Sequence, residues 1–175
     1  MRLVIENGGT KCDWILVEND FYISTSNILI NDIDKNNINY FKSFFPTYIL
    51  CHSNITIDVY TAGLNELNIV NIKSFLSNIF SNPTIEIYSD MLAASRALFH
   101  QKCGIACILG TGSNTAFYDG ENNHEIRFSS GYIFGDEGSG YDLGKQFLIN
   151  YFNDKLPMDI KNNFKSIFQI NKKTL

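Results

Sequence analysis

Apolar and polar residues alternate from Met1 to Ile5 and give way to Glu6-Asn7-Gly8-Gly9-Thr10, a pattern that predicts a strand running into a glycine turn. Asp13 to Val17 and Phe21 to Ser26 predict two further strands, joined by a short turn at Glu18-Asn19-Asp20. The chain therefore opens on a three-stranded meander. After a loop at Asn31 and Asp32, the residues Ile38, Phe41, Phe44 and Phe45 recur at helical spacing until Pro46 ends the helix. Ile57 to Thr61 predicts a strand that stops at Ala62-Gly63. Leu67, Val70, Ile72, Phe75, Leu76, Ile79 and Phe80 then form one face of a helix, followed by a strand from Ile85 to Tyr88 and a helix from Met91 to Phe99. The order β-β-β-α-β-α-β-α predicts an α/β sheet with crossover helices and argues against a bundle or a sandwich.

Near Lys102 the pattern starts again. Ile105 to Leu109 predicts a strand, Gly110-Thr111-Gly112 a tight turn, Asn114 to Tyr118 a second strand, and Glu125 to Phe128 a third after the turn at Asp119-Gly120. Ser139 to Phe152 and Met158 to Phe168 predict the next two helices. A β-β-β unit begun twice predicts two lobes of like topology, residues 1–101 and 102–175, facing each other across a cleft with a glycine turn of each at its mouth.

Composition narrows the function without naming it. With 45% hydrophobic residues in a chain of 175, a substantial core is expected and disorder is not. A formal charge of −4, with lysines dispersed except between Lys161 and Lys173, argues against a nucleic-acid partner. No apolar run is long enough to span a membrane, and the start lacks a signal-peptide pattern, so a cytoplasmic location is expected and a membrane partner is not. Cys12, Cys51, Cys103 and Cys107 lack zinc-type spacing and read as reduced thiols, with Cys103 and Cys107 in or beside the apolar stretch CGIACIL as small core hydrophobes.

The chemistry gathers at glycines. Gly8-Gly9-Thr10-Lys11 and Gly110-Thr111-Gly112-Ser113-Asn114 each link two strands, and glycine lets backbone N–H groups crowd around a phosphate while hydroxyls add donors. A tight hairpin also wants glycine, so one such turn is weak; two, each opening a repeated unit, favour phosphate. Neither is a Walker A loop or a dinucleotide fingerprint. Glu6, beside the first turn, reads either as an ordinary strand-end charge or as a carboxylate holding hydrated magnesium. Asp90, at a strand-to-helix junction, reads equally as a helix N-terminal carboxylate or as a general base for a substrate hydroxyl. The segment Gly131 to Gly140 places four glycines and the acids Asp136 and Glu137 just before a helix, a setting suited to polar substrate hydroxyls or metal-bound water.

Taken in order, Glu6-Asn7-Gly8-Gly9-Thr10-Lys11, Ala62-Gly63, Ser89-Asp90, Gly110-Thr111-Gly112-Ser113-Asn114 and Gly135-Asp136-Glu137-Gly138-Ser139 resemble N-acetylglucosamine kinases and the related BadF-type ATPases, through about Phe152. The resemblance implies an actin-like ATPase fold, with a ribonuclease H-like first lobe and an incomplete second lobe of the same type. It implies ATP and Mg2+ as cofactors and a small amino sugar as partner; a homodimer is compatible with it. Gly8, Gly9, Thr10 and Lys11 correspond to the first phosphate loop, Gly110, Thr111, Gly112 and Ser113 to the second, Glu6 to the magnesium-linked acid, and Asp90 to the base that takes the proton of the sugar 6-hydroxyl. Asn31, Asn114, Ser129, Ser130, Gly131 and Asp136 fall where the family binds sugar, although Leu29-Ile30-Asn31-Asp32 lacks the usual glycine and proline.

Family members are considerably longer, with their adenine-binding glycines later in the second lobe. The resemblance therefore implies a fragment, or a frameshifted product, with apolar faces left uncovered. Two other readings stay open: an activating ATPase that shares an iron–sulfur cluster between subunits, and a sugar- or nucleotide-binding module without turnover.

Overall fold

The computed structural model describes residues 1–8, 11–17, 21–26, 38–126 and 130–168. Three antiparallel strands open it: β1 (Arg2–Asn7), β2 (Lys11–Leu16) and β3 (Phe21–Ser26). Next come α1 (Ile38–Lys42), α2 (Thr47–Leu50), β4 (Thr56–Thr61), α3 (Glu66–Ile79), β5 (Thr84–Ser89) and α4 (Asp90–Phe99). The sheet order is β3-β2-β1-β4-β5, with β4 parallel to β1 and β5 parallel to β4. The expected α/β order holds, with one addition. The first helical stretch ends earlier than expected, at Lys42, with turns from Ser43 to Phe45. Pro46, expected to end it, instead opens α2, because a helix loses nothing when proline stands at its start.

The core lies on one face of this sheet. Leu3 and Ile5, Trp14 and Leu16, and Ile57 and Val59 occupy alternate positions on their strands and are fully buried. Against them pack Phe41 and Phe45, Ile49, and the α3 residues Ile72, Phe75, Leu76 and Ile79, which recur at helical spacing. Trp14 meets Phe45 edge-on at 5.3 Å, and Phe41 meets Phe75 the same way at 5.3 Å. The helix α3 begins at Asn65, whose side chain accepts the Asn68 N–H at 2.9 Å. On the other face α4 lies against β4 and β5. There Arg96 stacks over the Tyr88 ring at 4.6 Å and donates to the Tyr60 hydroxyl at 2.9 Å.

A second sheet has the order β6 (Gly104–Leu109), β7 (Ser113–Tyr118), β8 (Asn123–Glu125). Its last strand begins earlier than the sequence suggests. Asp119 Oδ1 accepts the N–H groups of Glu121 and Asn122, and this side-chain turn returns the chain at once, pairing Tyr118 with Asn123. Of the expected strand from Glu125 to Phe128, only Glu125 is in β8, and Phe128 lies outside the described residues. The cysteine reading needs correction as well: all four thiols are free, but only Cys12 is buried, while Cys51, Cys103 and Cys107 are exposed. Alternation on β6 explains Cys107, since Ala106 points into the protein and Ile105, Cys107 and Leu109 share the exposed side.

The chain divides into two compact units. One contains Met1–Cys107 with Thr115–Arg127, the other Ile108–Asn114 with the described part of Phe128–Leu175. Most of β6–β8 therefore belongs to the first unit, joined to α4 through contacts such as Ser95 Oγ donating to Asn123 Oδ1 at 2.7 Å and Tyr118 Oη donating to the carbonyl of the C-cap residue His100 at 3.0 Å. The second unit holds α5 (Gly131–Phe134), α6 (Gly140–Phe152) and α7 (Met158–Phe168). Phe164 packs against Phe147 and Tyr151, joining α7 to α6. In this unit Phe134 and Leu143 remain largely exposed. No helix of the described residues is long and apolar enough to cross a membrane.

Candidate functional site

In the first unit the polar residues collect where the parallel strands end. The register aligns Asn7 with Thr61 and Thr61 with Ser89, so β1, β4 and β5 finish level and hand over to Gly8, Ala62 and Asp90. Ligands of open α/β sheets bind at such carboxyl ends. Asn7 Nδ2 donates to Thr61 Oγ1 at 2.9 Å, and both residues are buried, which ties β1 to β4 at this edge. Gly8 N–H donates to Lys11 O at 3.0 Å and closes the first glycine turn. A Cβ on Gly8 would stand 3.1 Å from Glu6 Oε1, so glycine lets the carboxylate lie against the turn.

Glu6 is opposite Asp13 on the β1–β2 ladder. Partial burial, and then the charges of Asp13 and Asp90, push the Glu6 carboxyl above its ordinary value, with Lys11 opposing them. Lys11 Nζ is itself paired with Asp13 Oδ2, and Tyr22 Oη donates to Asp13 Oδ1 at 3.1 Å. Asp90 stands in the first turn of α4. Ser89, not Asp90, caps that helix, its Oγ accepting the Leu92 N–H at 3.3 Å. Asp90 Oδ1 accepts the Met91 N–H at 2.8 Å, yet burial prevails over these backbone donors and raises the Asp90 carboxyl above its ordinary value.

The second unit contains the other glycine turn. Gly110 N–H donates to Gly112 O at 2.9 Å, while Gly140 N–H donates to Gly110 O at 2.8 Å and Tyr141 N–H to Thr111 O at 3.2 Å. The first N–H groups of α6, which would otherwise lack partners, thus grip the turn's carbonyls. Ser113 N–H donates to Asp136 Oδ1 at 3.0 Å, and Ser113 Oγ donates to Glu137 O at 3.1 Å. Among the described residues the N–H groups of Thr111 and Gly112 have no such partner. Ser139 caps α6, its Oγ accepting the Asp142 N–H, while Asp142 Oδ2 accepts the N–H of Gly138, the residue before the cap, both at 3.1 Å.

The structure thus brings Glu6, Gly8, Lys11 and Asp90 together in one unit, and Gly110, Thr111, Gly112, Ser113 and Asp136 in the other. Asn114 is on β7, and Ser130 and Gly131 begin α5, Gly131 with φ +65°. Gly9, Thr10, Asn31 and Ser129 lie outside the described residues. Sequence reasoning missed Asp13, although a carboxylate inside the otherwise apolar run Cys12 to Leu16 was a signal, and missed Thr61, whose role depends on strand pairing.

Among the described residues no three His, Cys, Asp or Glu side chains converge as a metal cage. The donor chemistry still fits magnesium, which keeps most of its water and needs only one or two carboxylates beside phosphate. Glu6, partly buried beside the first glycine turn, would be the carboxylate to hold it.

No protein-family model and no curated protein matches the sequence. Solved structures do. The chain matches a provisionally named N-acetylglucosamine kinase from Porphyromonas gingivalis with a TM-score of 0.78 and 28% identity, over 99% of this chain and 64% of the other. It matches a second protein, from Chromobacterium violaceum and likewise provisionally named an N-acetylglucosamine kinase, with a TM-score of 0.64 and 16% identity, over 95% of this chain and 63% of the other. The chain spans slightly less than two thirds of the length of either. By its strand order and these matches, the chain has the fold of the actin-like ATPase and sugar-kinase superfamily.

Proposed function

We propose that this chain supplies the base and both phosphate turns of an ATP-dependent kinase acting on the 6-hydroxyl of an amino sugar, N-acetylglucosamine. The observation that carries this reading is Asp90: a half-buried carboxylate at the carboxyl end of β5, held above its ordinary value by burial, on a chain matched over 99% of its length by a provisionally named N-acetylglucosamine kinase.

Phosphoryl transfer requires mainly positioning and charge neutralisation. When bound, ATP supplies the phosphoryl group and magnesium neutralises phosphate charge. In this reading Asp90 accepts the proton of the sugar 6-hydroxyl, and Glu6 holds magnesium through water. Gly8, Gly9, Thr10 and Lys11 orient one end of the phosphate chain, and the Thr111 and Gly112 N–H groups the other. Asn31, Asn114, Ser129, Ser130, Gly131 and Asp136 contact the sugar. A cytoplasmic location belongs to the same reading, since ATP is available there.

Calorimetric titration with N-acetylglucosamine, followed by Mg-ATP, tests the proposal. Saturable sugar binding supports it, and absence of sugar binding leaves only the fold. The exposure of Cys103 and Cys107 favours one second reading, an iron–sulfur activating ATPase, because thiols on the surface are available to a cluster shared between subunits. Iron content of the purified protein separates the two.

A further inference from the structure

We infer that Asp136 is a positioning residue for the second glycine turn: its carboxylate holds the Ser113 amide and braces Gly112, and so sets the Thr111–Gly112 backbone. The sequence resemblance assigns Asp136 to sugar binding alone. The geometry gives it a second task. Its Oδ1 accepts the Ser113 N–H at 3.0 Å, a charge-assisted bond linking residues 23 positions apart. Its carboxylate also lies flat against the turn, since a Cβ on Gly112 would stand 2.9 Å from Oδ2 and 3.2 Å from Oδ1.

The backbone around Asp136 is shaped for this contact. Asp136 has φ +58°, a left-handed conformation that L residues seldom adopt, and Gly138 follows with φ +76°. Asp136 O then accepts the Ser139 N–H at 3.0 Å, locking the segment to the N-terminus of α6. The turn is consequently held from two sides, by the Asp136 carboxylate at Ser113 and by the Gly140 and Tyr141 amides at Gly110 and Thr111. Within the turn, the Thr111 and Gly112 N–H groups are left facing no partner among the described residues. Asp136 itself presents no donor to phosphate; it acts through the turn. Its importance for nucleotide rests on the phosphate role proposed above, whereas the bond to Ser113 does not.

The test uses three variants of the whole chain, Asp136→Ala, Asp136→Asn and Gly112→Ala, with two readouts. Hydrogen exchange at the Ser113 amide, followed by NMR, reports the positioning directly. Calorimetry with a non-hydrolysable Mg-ATP analogue and, separately, with N-acetylglucosamine reports its consequence. Asp136→Ala is expected to accelerate Ser113 exchange and to weaken the analogue about tenfold or more, the loss of one charge-assisted bond, with a smaller effect on sugar. Asp136→Asn keeps an acceptor oxygen and should retain much of the protection. Gly112→Ala, which displaces the carboxylate, should reproduce the Asp136→Ala effects without adding to them in the double variant. Unchanged Ser113 exchange in Asp136→Ala, or a loss confined to sugar affinity, would overturn the assignment. If the wild type binds no analogue, the kinase reading fails, and Ser113 exchange alone still decides whether Asp136 positions the turn.

Discussion

Glu6 on β1 stands directly opposite Asp13 on β2, so two carboxylates share one face of the sheet beside the first glycine turn. Like charges at facing positions of an antiparallel pair are unfavourable. Lys11 compensates by pairing with Asp13, and Glu6 is left under the charges of Asp13 and Asp90.

Glu6→Gln should therefore separate stability from activity. Without magnesium, the variant is expected to be more stable than wild type at neutral pH, because it removes a charge disfavoured by burial and by two neighbours. The Mg2+ concentration for half-maximal transfer should rise roughly ten- to a hundredfold, as for loss of a group that orients a hydrated metal. Urea unfolding and a magnesium titration of the rate check the two effects.

Asp90 gives a pH signature of definite sign. Its carboxyl is raised above the ordinary 3.8 in the folded chain, so the native state retains a proton that the unfolded state has lost. Stability attributable to Asp90 falls as pH rises from the ordinary value through the raised one, and the cost is complete above it. Relative to wild type, Asp90→Asn should gain stability as pH rises above about 4, visible as a difference in urea midpoints that grows and then levels off once the raised value is passed. A constant difference across that range would show that burial does not disfavour this charge.

The Asn7–Thr61 bond holds β1 and β4 together just before Gly8 and Ala62. Thr61→Val keeps the volume but removes the acceptor, and should cost about 1–3 kcal/mol of stability. Urea unfolding measures it, and a cost near zero would mean that Asn7 finds another partner at no penalty.

Trp14 is fully buried between Phe41 and Phe45 and anchors the helical layer to the sheet. Trp14→Ala should cost about 3–5 kcal/mol, a large part of the stability of an ordinary domain. Near-UV circular dichroism would register the loss of packing.

The first sheet was legible because alternation and helical spacing are strong in residues 1–101, where Leu3, Ile5, Ile57 and Val59 go to one core. Local chemistry that depends on other elements was not. Nothing around Thr61 announces Asn7, 54 positions earlier, and nothing around Asp136 announces Ser113. The apolar run Cys103 to Leu109 suggested core positions for its cysteines, whereas the second sheet leaves one side of β6 exposed, with Leu109 72% accessible. Short elements also escaped: α2 and α5 have four residues each, too few for a periodic pattern to register.

The most direct measurement is formation of N-acetylglucosamine 6-phosphate from N-acetylglucosamine and Mg-ATP, with wild type and Asp90→Asn side by side. Transfer by the wild type, reduced about 10²–10⁴-fold in the variant while sugar binding persists, is the expected result. Transfer by Asp90→Asn at the wild-type rate would contradict the assignment of Asp90 as the base of a sugar kinase.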